Sequence, residues 1–136
     1  MPTSELTTLD AVIDGLVPNG VHAYIGDESA DEVRSRAAAA GWVAVTANAA
    51  GGKGALLDGL AATGAFPAWF GHNWDALSDC LVDLSWAPAE GYLVFVEEWS
   101  AFEVAWPRDA EIAAEVLAHA AAEWSARGTP FVALTR

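Results

Sequence analysis

Short apolar runs alternate along this chain with segments whose apolar residues recur at helical spacing. Four segments have the length and apolar content of strands: 21–25, 42–46, 92–96 and 131–135. Segment 92–96 is apolar throughout, as expected for a strand covered on both faces. Four segments between them have the pattern of helices: 30–40, 54–62, 74–84 and 109–126. Alternating strands and helices predict an α/β fold, with a small three- or four-stranded, mainly parallel sheet packed with helices.

The first twenty residues carry a separate helical pattern. Apolar residues recur at Leu6, Leu9, Ile13 and Leu16, and the sequence Pro18-Asn19-Gly20 is typical of a turn that ends a helix. We therefore expect residues 1–20 to form a helical extension docked on a domain that spans 21–136. The whole chain is predicted to be one globular unit.

The helix predicted at 74–84 has a well-marked start and one apolar side. Asn73 is a good N-cap, because its side-chain oxygen can accept a hydrogen bond from a free backbone amide. At 3.6 residues per turn, four residues gather on one side as the expected core stripe: Leu77, Cys80, Leu81 and Leu84. The cysteine on this stripe is expected to be a buried, inert thiol.

The opposite side of this helix carries three aspartates, Asp75, Asp79 and Asp83, together with Ser78 and Val82. The helix dipole favours an acid in the first turn, which explains Asp75 locally. The other two aspartates lie toward the negative helix end, where like charges four residues apart oppose each other by about 0.2–0.5 kcal/mol per pair. The row therefore indicates a binding surface for a basic partner. The alternative is an ordinary solvated face of an acidic protein.

Further residues are candidates for the same surface. Trp69 precedes the helix and Trp86 follows it, so apolar groups are expected beside the carboxylates, as in protein-binding hot spots. Glu123 lies in the last turn of the helix at 109–126, where the dipole disfavours an acid. An acid kept at a position that destabilises the helix indicates a binding role for Glu123. A surface glutamate at a fraying helix end explains its spacing equally well.

Composition and charge narrow the classes of function. The chain has 136 residues, 54% of them hydrophobic, which suits one domain with a sizeable core. Nineteen acidic and six basic residues give a formal charge of -13, which should repel nucleic acids and anionic membranes and attract basic proteins. The N-terminus lacks the pattern of a signal peptide, no segment is apolar enough to span a bilayer, and the lone cysteine excludes an intrachain disulfide. A cytoplasmic location is expected.

Enzyme and cofactor interpretations are weaker. The segment 49–57 resembles a phosphate-binding loop, yet Ala47 stands in place of the first glycine and Gly54 in place of the magnesium-binding hydroxyl. The three aspartates spread along about 12 Å of helix axis, too far for all three to reach one metal ion, and only a pair could bind an ion weakly. Neither a zinc-ligand spacing nor a nucleophile with a nearby base is present. No catalytic residue, metal or cofactor is predicted.

Residues 67–81 resemble the binding-helix motif of the barstar family, the intracellular inhibitors of small secreted microbial ribonucleases. The residues that carry the likeness are Pro67, Trp69, Phe70, Gly71, Asn73, Asp75, Ala76, Leu77, Asp79, Cys80 and Leu81. A strand ending near Glu98, a helix and a final short strand continue the likeness, which covers about residue 21 to the C-terminus.

The resemblance implies a barstar-like fold and a protein that occludes the active site of a basic, barnase-type ribonuclease, with carboxylates in place of RNA phosphates. Asp79 corresponds to the deepest contact of the family. Asp75 and Glu123 correspond to further acidic contacts, Trp69 to an aromatic contact, and Asn73 to a contact near the helix start.

Three residues of this surface depart from the family and bear on the choice of partner. Ser78 stands where tryptophan is frequent, and Val82 and Asp83 replace small residues. These departures leave open a second function, that of an antitoxin- or immunity-like binding module for a basic partner that is not a ribonuclease. In either case the free chain is expected to be a monomer.

Overall fold

The computed structural model describes residues 6–136, and its strands form one parallel sheet. The strands are β1 Leu6–Thr7, β2 Gly20–Tyr24, β3 Trp42–Asn48, β4 Gly91–Glu97 and β5 Phe131–Thr135. They lie in the order β1-β2-β5-β4-β3, and every described pairing is parallel. The predicted α/β fold with its small parallel sheet is confirmed. The two-residue strand β1 adds an edge that the sequence pattern did not indicate.

Six α-helices of the described part of the chain pack around this sheet. They are α1 Leu9–Ile13, α2 Ala30–Ala39, α3 Lys53–Thr63, α4 Trp74–Asp83, α5 Trp99–Ala105 and α6 Pro107–Ala126. A 3₁₀ turn at Ala49–Gly51 leads into α3. The sequence predicted α2, α3, α4 and α6 to within two residues at each end and gave no sign of α5.

The sheet separates two apolar cores. Leu93 and Phe95 of β4 face α1 and α2, whereas Val94 and Val96 face the core that contains α3, α4 and α6. All four side chains are buried, as expected for a strand covered on both faces. The larger core therefore places α4 and α6 side by side on one face of the sheet.

The N-terminal helix is confirmed but is shorter than its pattern predicted. Thr8 caps α1, since its hydroxyl oxygen accepts a hydrogen bond from the amide of Ala11 at 3.3 Å, and Leu9 is buried in the smaller core. Leu6 belongs to β1 instead, and Leu16 is 75% exposed. Residues 1–5 of the predicted extension lie outside the described residues, and the domain division at residue 20 stays a prediction.

A threonine hydroxyl covers the free edge of β3. The Thr63 hydroxyl accepts a hydrogen bond from the amide of buried Thr46 at 2.8 Å and lies 3.0 Å from the Thr46 carbonyl oxygen. It also lies 2.8 Å from the carbonyl oxygen of Gly59, one turn earlier in α3. Thr63 thus occupies backbone groups that an edge strand would otherwise offer to another strand.

Replacing Thr63 by valine should lower the free energy of unfolding. Valine has nearly the same shape but leaves the buried Thr46 amide without its partner, which costs about 1–3 kcal/mol. Urea unfolding measures the change, and Thr63→Ser, which keeps the hydroxyl, is the matched control. A valine variant as stable as the serine variant would show that the hydrogen bond contributes little.

Candidate protein-binding face

The local sequence fixes the start of α4. The Asn73 side-chain oxygen accepts a hydrogen bond from the amide of Ala76 at 2.8 Å, and the Asn73 side-chain nitrogen donates to the carbonyl oxygen of Gly71 at 3.3 Å. At the other end, Leu84 adopts a left-handed conformation with a φ of 48°, and its amide donates to the Cys80 carbonyl. The predicted N-cap is therefore confirmed, and the helix ends within one residue of the expected position.

The apolar stripe of α4 is fully buried and holds the helix rigidly on the core. Its members are Leu77, Cys80, Leu81 and Leu84, none of them more than 2% exposed. Burial, followed by the nearby charges of Asp79 and Asp83, raises the pKa of the Cys80 thiol to about 11. The thiol therefore stays protonated at neutral pH, as expected for an inert core cysteine.

The opposite side of α4, here called the acidic face, consists of Asp75, Ser78, Asp79, Val82 and Asp83. The three aspartates are exposed, whereas the serine and the valine are half-buried. Within residues 6–136, no arginine, lysine or histidine forms an ion pair with any of the three carboxylates. The acidic face thus presents its charge to solvent without internal neutralisation.

The segment that leads into α4 exposes an aromatic side chain a few residues before the helix begins. Phe70 is buried, with its ring centroid 5.1 Å from that of Phe66 and 4.7 Å from that of His72. These contacts anchor the segment, while the neighbouring Trp69 remains 59% exposed. An exposed indole on an anchored segment is a suitable apolar contact for a partner.

Trp86, which the sequence also suggests as a flank of the acidic face, packs inward over part of its surface. Its indole nitrogen donates a hydrogen bond to the carbonyl oxygen of Gly64 at 3.0 Å, and its ring packs edge-on against Phe66 at 5.9 Å. Trp86 is half-buried and packs against the larger core. Its role is to hold the segments that follow α3 and α4 together, a tertiary arrangement that spacing along α4 cannot indicate.

Trp124 of α6 and Arg127, the residue that caps the end of α6, connect this helix to the last turn of α4. The indole nitrogen of buried Trp124 donates to the Leu81 carbonyl at 2.7 Å, and the Arg127 guanidinium donates to the Val82 carbonyl at 2.6 Å. Both carbonyls belong to the last turn of α4, where no intrahelical partner remains for them. These bonds fix the C-terminal end of the acidic face against α6.

The same bonds locate Glu123 relative to α4. Glu123 is exposed and lies one turn before Arg127, and residues four apart are neighbours on a helix surface. Arg127 reaches the end of α4, and helical spacing puts Glu123 on the same flank of α6 as Arg127. A contact area shared by Glu123 and the acids of α4 stays a prediction.

Arg127 itself was missed by the sequence interpretation. Its guanidinium lies 4.4 Å from the ring centroid of Trp124 and stacks on the indole while it donates to Val82. A basic residue at the end of a helix is a recognised C-terminal signal, but the pattern refers to α6 alone. That Arg127 serves the end of α4 follows only from the packing of the two helices.

Two observations concern the metal-binding and phosphate-binding interpretations. Among residues 6–136, no three histidine, cysteine, aspartate or glutamate side chains come together as metal ligands. At the loop that resembles a phosphate-binding loop, the Trp106 ring lies 3.2 Å from where a Cβ on Gly52 would stand, so an indole covers this glycine.

None of the helices in the described part of the chain is long and apolar enough to cross a membrane.

The fold and the acidic face define a class of small acidic α/β proteins that expose a carboxylate-bearing helix beside a packed partner helix. Residues 42–136 match the family model described as Barstar (barnase inhibitor), and the chain belongs to this family. The match begins at the first residue of β3, so β1, β2, α1 and α2 lie before it. A search of curated proteins found no match. The family comprises inhibitors rather than enzymes, which supports a barnase-inhibitor-type role in general.

Proposed function

We propose that this protein binds a basic, barnase-type ribonuclease and occludes its active site with the acidic face of α4. Asp79, at the centre of α4, takes the place of an RNA phosphate, and Asp75 and Glu123 meet neighbouring basic groups. Trp69 and Val82 supply apolar contact. The observation that carries this proposal is the row of exposed, unpaired carboxylates on α4 in a member of the barstar family.

The three remaining candidates, Asn73, Ser78 and Asp83, lie within the same contact area. Asn73 shapes the entry to α4 and stays exposed, Ser78 occupies the middle of the face, and Asp83 extends the charge to the end of the helix. The positions of Ser78 and Asp83, where the chain departs from the family, are those at which we expect partner preference to be set.

Rigidity of α4 supports tight binding by this face. The buried stripe and the hydrogen bonds from Trp124 and Arg127 leave the helix little freedom to lose on association. A surface that is already ordered avoids part of the entropy that binding otherwise costs. The repulsion among the three aspartates is present in the free protein and is relieved when basic groups arrive, so charge placed against local stability favours the complex.

The charge of the protein should act mainly on the rate of association. With a formal charge of -13 and an unpaired acidic face, the chain should attract a basic ribonuclease over distances that salt screens. We expect the association rate constant with barnase to fall by about tenfold or more as the salt concentration rises from about 0.02 to 0.5 M. Stopped-flow fluorescence measures this rate. A rate constant that does not change with salt would show that the charge does not steer the encounter.

Titration of RNA cleavage tests the inhibitor function itself. Increasing amounts of this protein are added to a fixed amount of barnase, and residual cleavage of a fluorogenic RNA substrate is recorded. We expect activity to vanish at one equivalent and to persist when Asp75→Asn/Asp79→Asn is added instead. Full activity at a large excess of the wild-type chain would contradict inhibition of a barnase-type enzyme.

The second candidate function is that of a module for a basic protein that is not a ribonuclease. The departures at Ser78 and Asp83 and the presence of Arg127 beside the acidic face favour it, since they change the surface that the family uses. Capture of partners from an extract of the source organism separates the two functions. A captured protein that cleaves RNA and is silenced by added bait supports the inhibitor. A captured protein without this activity, absent from the Asp75→Asn/Asp79→Asn bait, supports the module.

A further inference from the structure

We propose that Arg127 determines partner specificity by repelling ribonucleases that place a cation beside the C-terminal end of α4. This inference rests on the proposed function, because it assigns the acidic face to a ribonuclease. The preferred partner is then an enzyme whose basic active site has a neutral or acidic group where it meets the C-terminal end of α4.

The position of Arg127 separates it from the other arginines of the chain. Each of the other four forms an ion pair with a carboxylate of this protein: Arg34, Arg36, Arg108 and Arg136. Arg127 has no such partner within residues 6–136. This holds although Asp83 follows the residue whose carbonyl Arg127 binds, and Glu123 lies four residues before Arg127. Its positive charge is therefore left exposed at one end of an otherwise acidic surface.

Two contacts hold the cation in this place. The guanidinium donates to the Val82 carbonyl at 2.6 Å and stacks on the Trp124 indole at 4.4 Å, and Trp124 is itself hydrogen-bonded to the Leu81 carbonyl. A guanidinium has five N–H donors, so most of them remain available after the bond to Val82. The negative end of the α4 dipole favours a cation here, and the charge is fixed in position rather than carried on a free side chain.

A fixed cation at the edge of an acidic surface divides the possible partners. Discrimination between related partners usually needs a repulsive element as well as attraction, because attraction alone admits any surface of opposite charge. Asp75 and Asp79 attract basic active sites in general, whereas Arg127 disfavours those in which basic groups continue past the end of α4. The centre of the acidic face thus attracts basic active sites in general, and Arg127 at its C-terminal end selects among them.

The test compares charge reversal at Arg127 with the same reversal at a remote arginine, with barnase as the probe. Arg127→Glu and Arg34→Glu change the net charge equally, but Arg34 lies on α2, across the sheet from the acidic face. We expect Arg127→Glu to tighten barnase binding by about tenfold or more, since like-charge contacts at an interface are strongly unfavourable, and Arg34→Glu to change it by less than about threefold. Equal effects of the two reversals would overturn the proposal.

Two further variants separate charge from packing. Arg127→Lys keeps the charge and should leave barnase binding within about threefold of the wild type, whereas Arg127→Gln should tighten it in the direction of the glutamate variant. If Arg127→Lys and Arg127→Gln weaken barnase binding equally, Arg127 only connects α6 to α4 and the proposal is wrong. Thermal unfolding confirms that each variant is folded before its affinity is compared.

The experiment also separates this inference from the proposed function. If Asp75→Asn/Asp79→Asn abolishes barnase binding while Arg127→Glu behaves like Arg34→Glu, the proposed function stands and the role of Arg127 falls. If barnase binds only after Arg127→Glu, and this binding again requires Asp75 and Asp79, the inference stands and Arg127 is the barrier to this enzyme, whereas inhibition of barnase by the wild type is contradicted. If neither the wild type nor Arg127→Glu binds barnase, Arg127 is not that barrier and the proposal is overturned.

Discussion

Replacing Asp79 by alanine should weaken the binding of barnase by about 2–5 kcal/mol, roughly thirtyfold to several thousandfold, while the protein stays folded. The loss arises because a basic group of the enzyme would be desolvated in the complex without the carboxylate that compensates it. The size is the one typical of truncating one partner of a buried, hydrogen-bonded charge pair at an interface. Surface plasmon resonance or competition titration measures the affinity, and the effect should lie mainly in the dissociation rate.

Because Asp79 is exposed, its replacement should change binding without changing the fold. Its side chain leaves α4 on the side opposite the buried stripe and forms no ion pair within residues 6–136, so its removal leaves the core unchanged. Glu115→Ala, an exposed acid of α6 on the side turned away from the sheet, is the matched control and should leave affinity within about threefold of the wild type. Unchanged binding by Asp79→Ala, or loss of folding, would remove this residue from the centre of the interface.

Replacing Trp124 by alanine should have the largest effect on stability, a loss of about 3–5 kcal/mol in the free energy of unfolding. The indole fills the space between α6 and the sheet, where its ring centroid lies 4.8 Å from that of Tyr92. It also provides the hydrogen bond to the Leu81 carbonyl and the surface on which Arg127 stacks. Urea unfolding followed by circular dichroism measures the loss.

A second substitution at the same position divides this effect into parts. Trp124→Phe keeps most of the apolar contact but removes the hydrogen bond, so it should cost about 1–3 kcal/mol, less than alanine. Because the bond ends on α4, amide exchange in the last turn of α4 should accelerate in both variants. Equal stabilities of the alanine variant and the wild type would show that α6 does not depend on this side chain.

The helix that carries the acidic face could be predicted from sequence because its determinants are local. Asn73 caps this helix, and the apolar stripe that begins at Leu77 follows the helical period. Strand β4 is predicted in the same local way, from the unbroken apolar run at 92–96. Each of these signals lies within a few residues of the element it defines. The motif that identified the barstar family occupies the same short segment, and the family match over residues 42–136 confirms that identification.

The elements that the sequence did not indicate depend on contacts between distant segments. Strand β1 is two residues long and exists through its pairing with β2. Helix α5 has no side-chain N-cap, begins after Glu98 in a left-handed conformation, and buries only Phe102, so neither a cap nor a period announces it. Helix α1 is likewise short and buries Leu9 and Val12 against the smaller core.

The candidate site divides in the same way. The acids of α4 lie where their spacing predicted, but the inward packing of Trp86 and the bond from Arg127 to Val82 join residues more than twenty positions apart. Such contacts depend on how helices pack, which no single helical pattern contains. Arg127 in particular reads as an ordinary helix-end cation until α6 is placed against α4.

Competition between this protein and a mononucleotide for barnase would show whether the carboxylates of α4 take the place of RNA phosphates in the active site. The apparent affinity of the protein for barnase is measured at increasing concentrations of a 3′-phosphorylated mononucleotide that occupies the active site. We expect the apparent Kd to rise linearly with nucleotide concentration, as for two ligands that exclude each other. An apparent Kd that does not change at saturating nucleotide would place the protein elsewhere on the enzyme and contradict active-site occlusion.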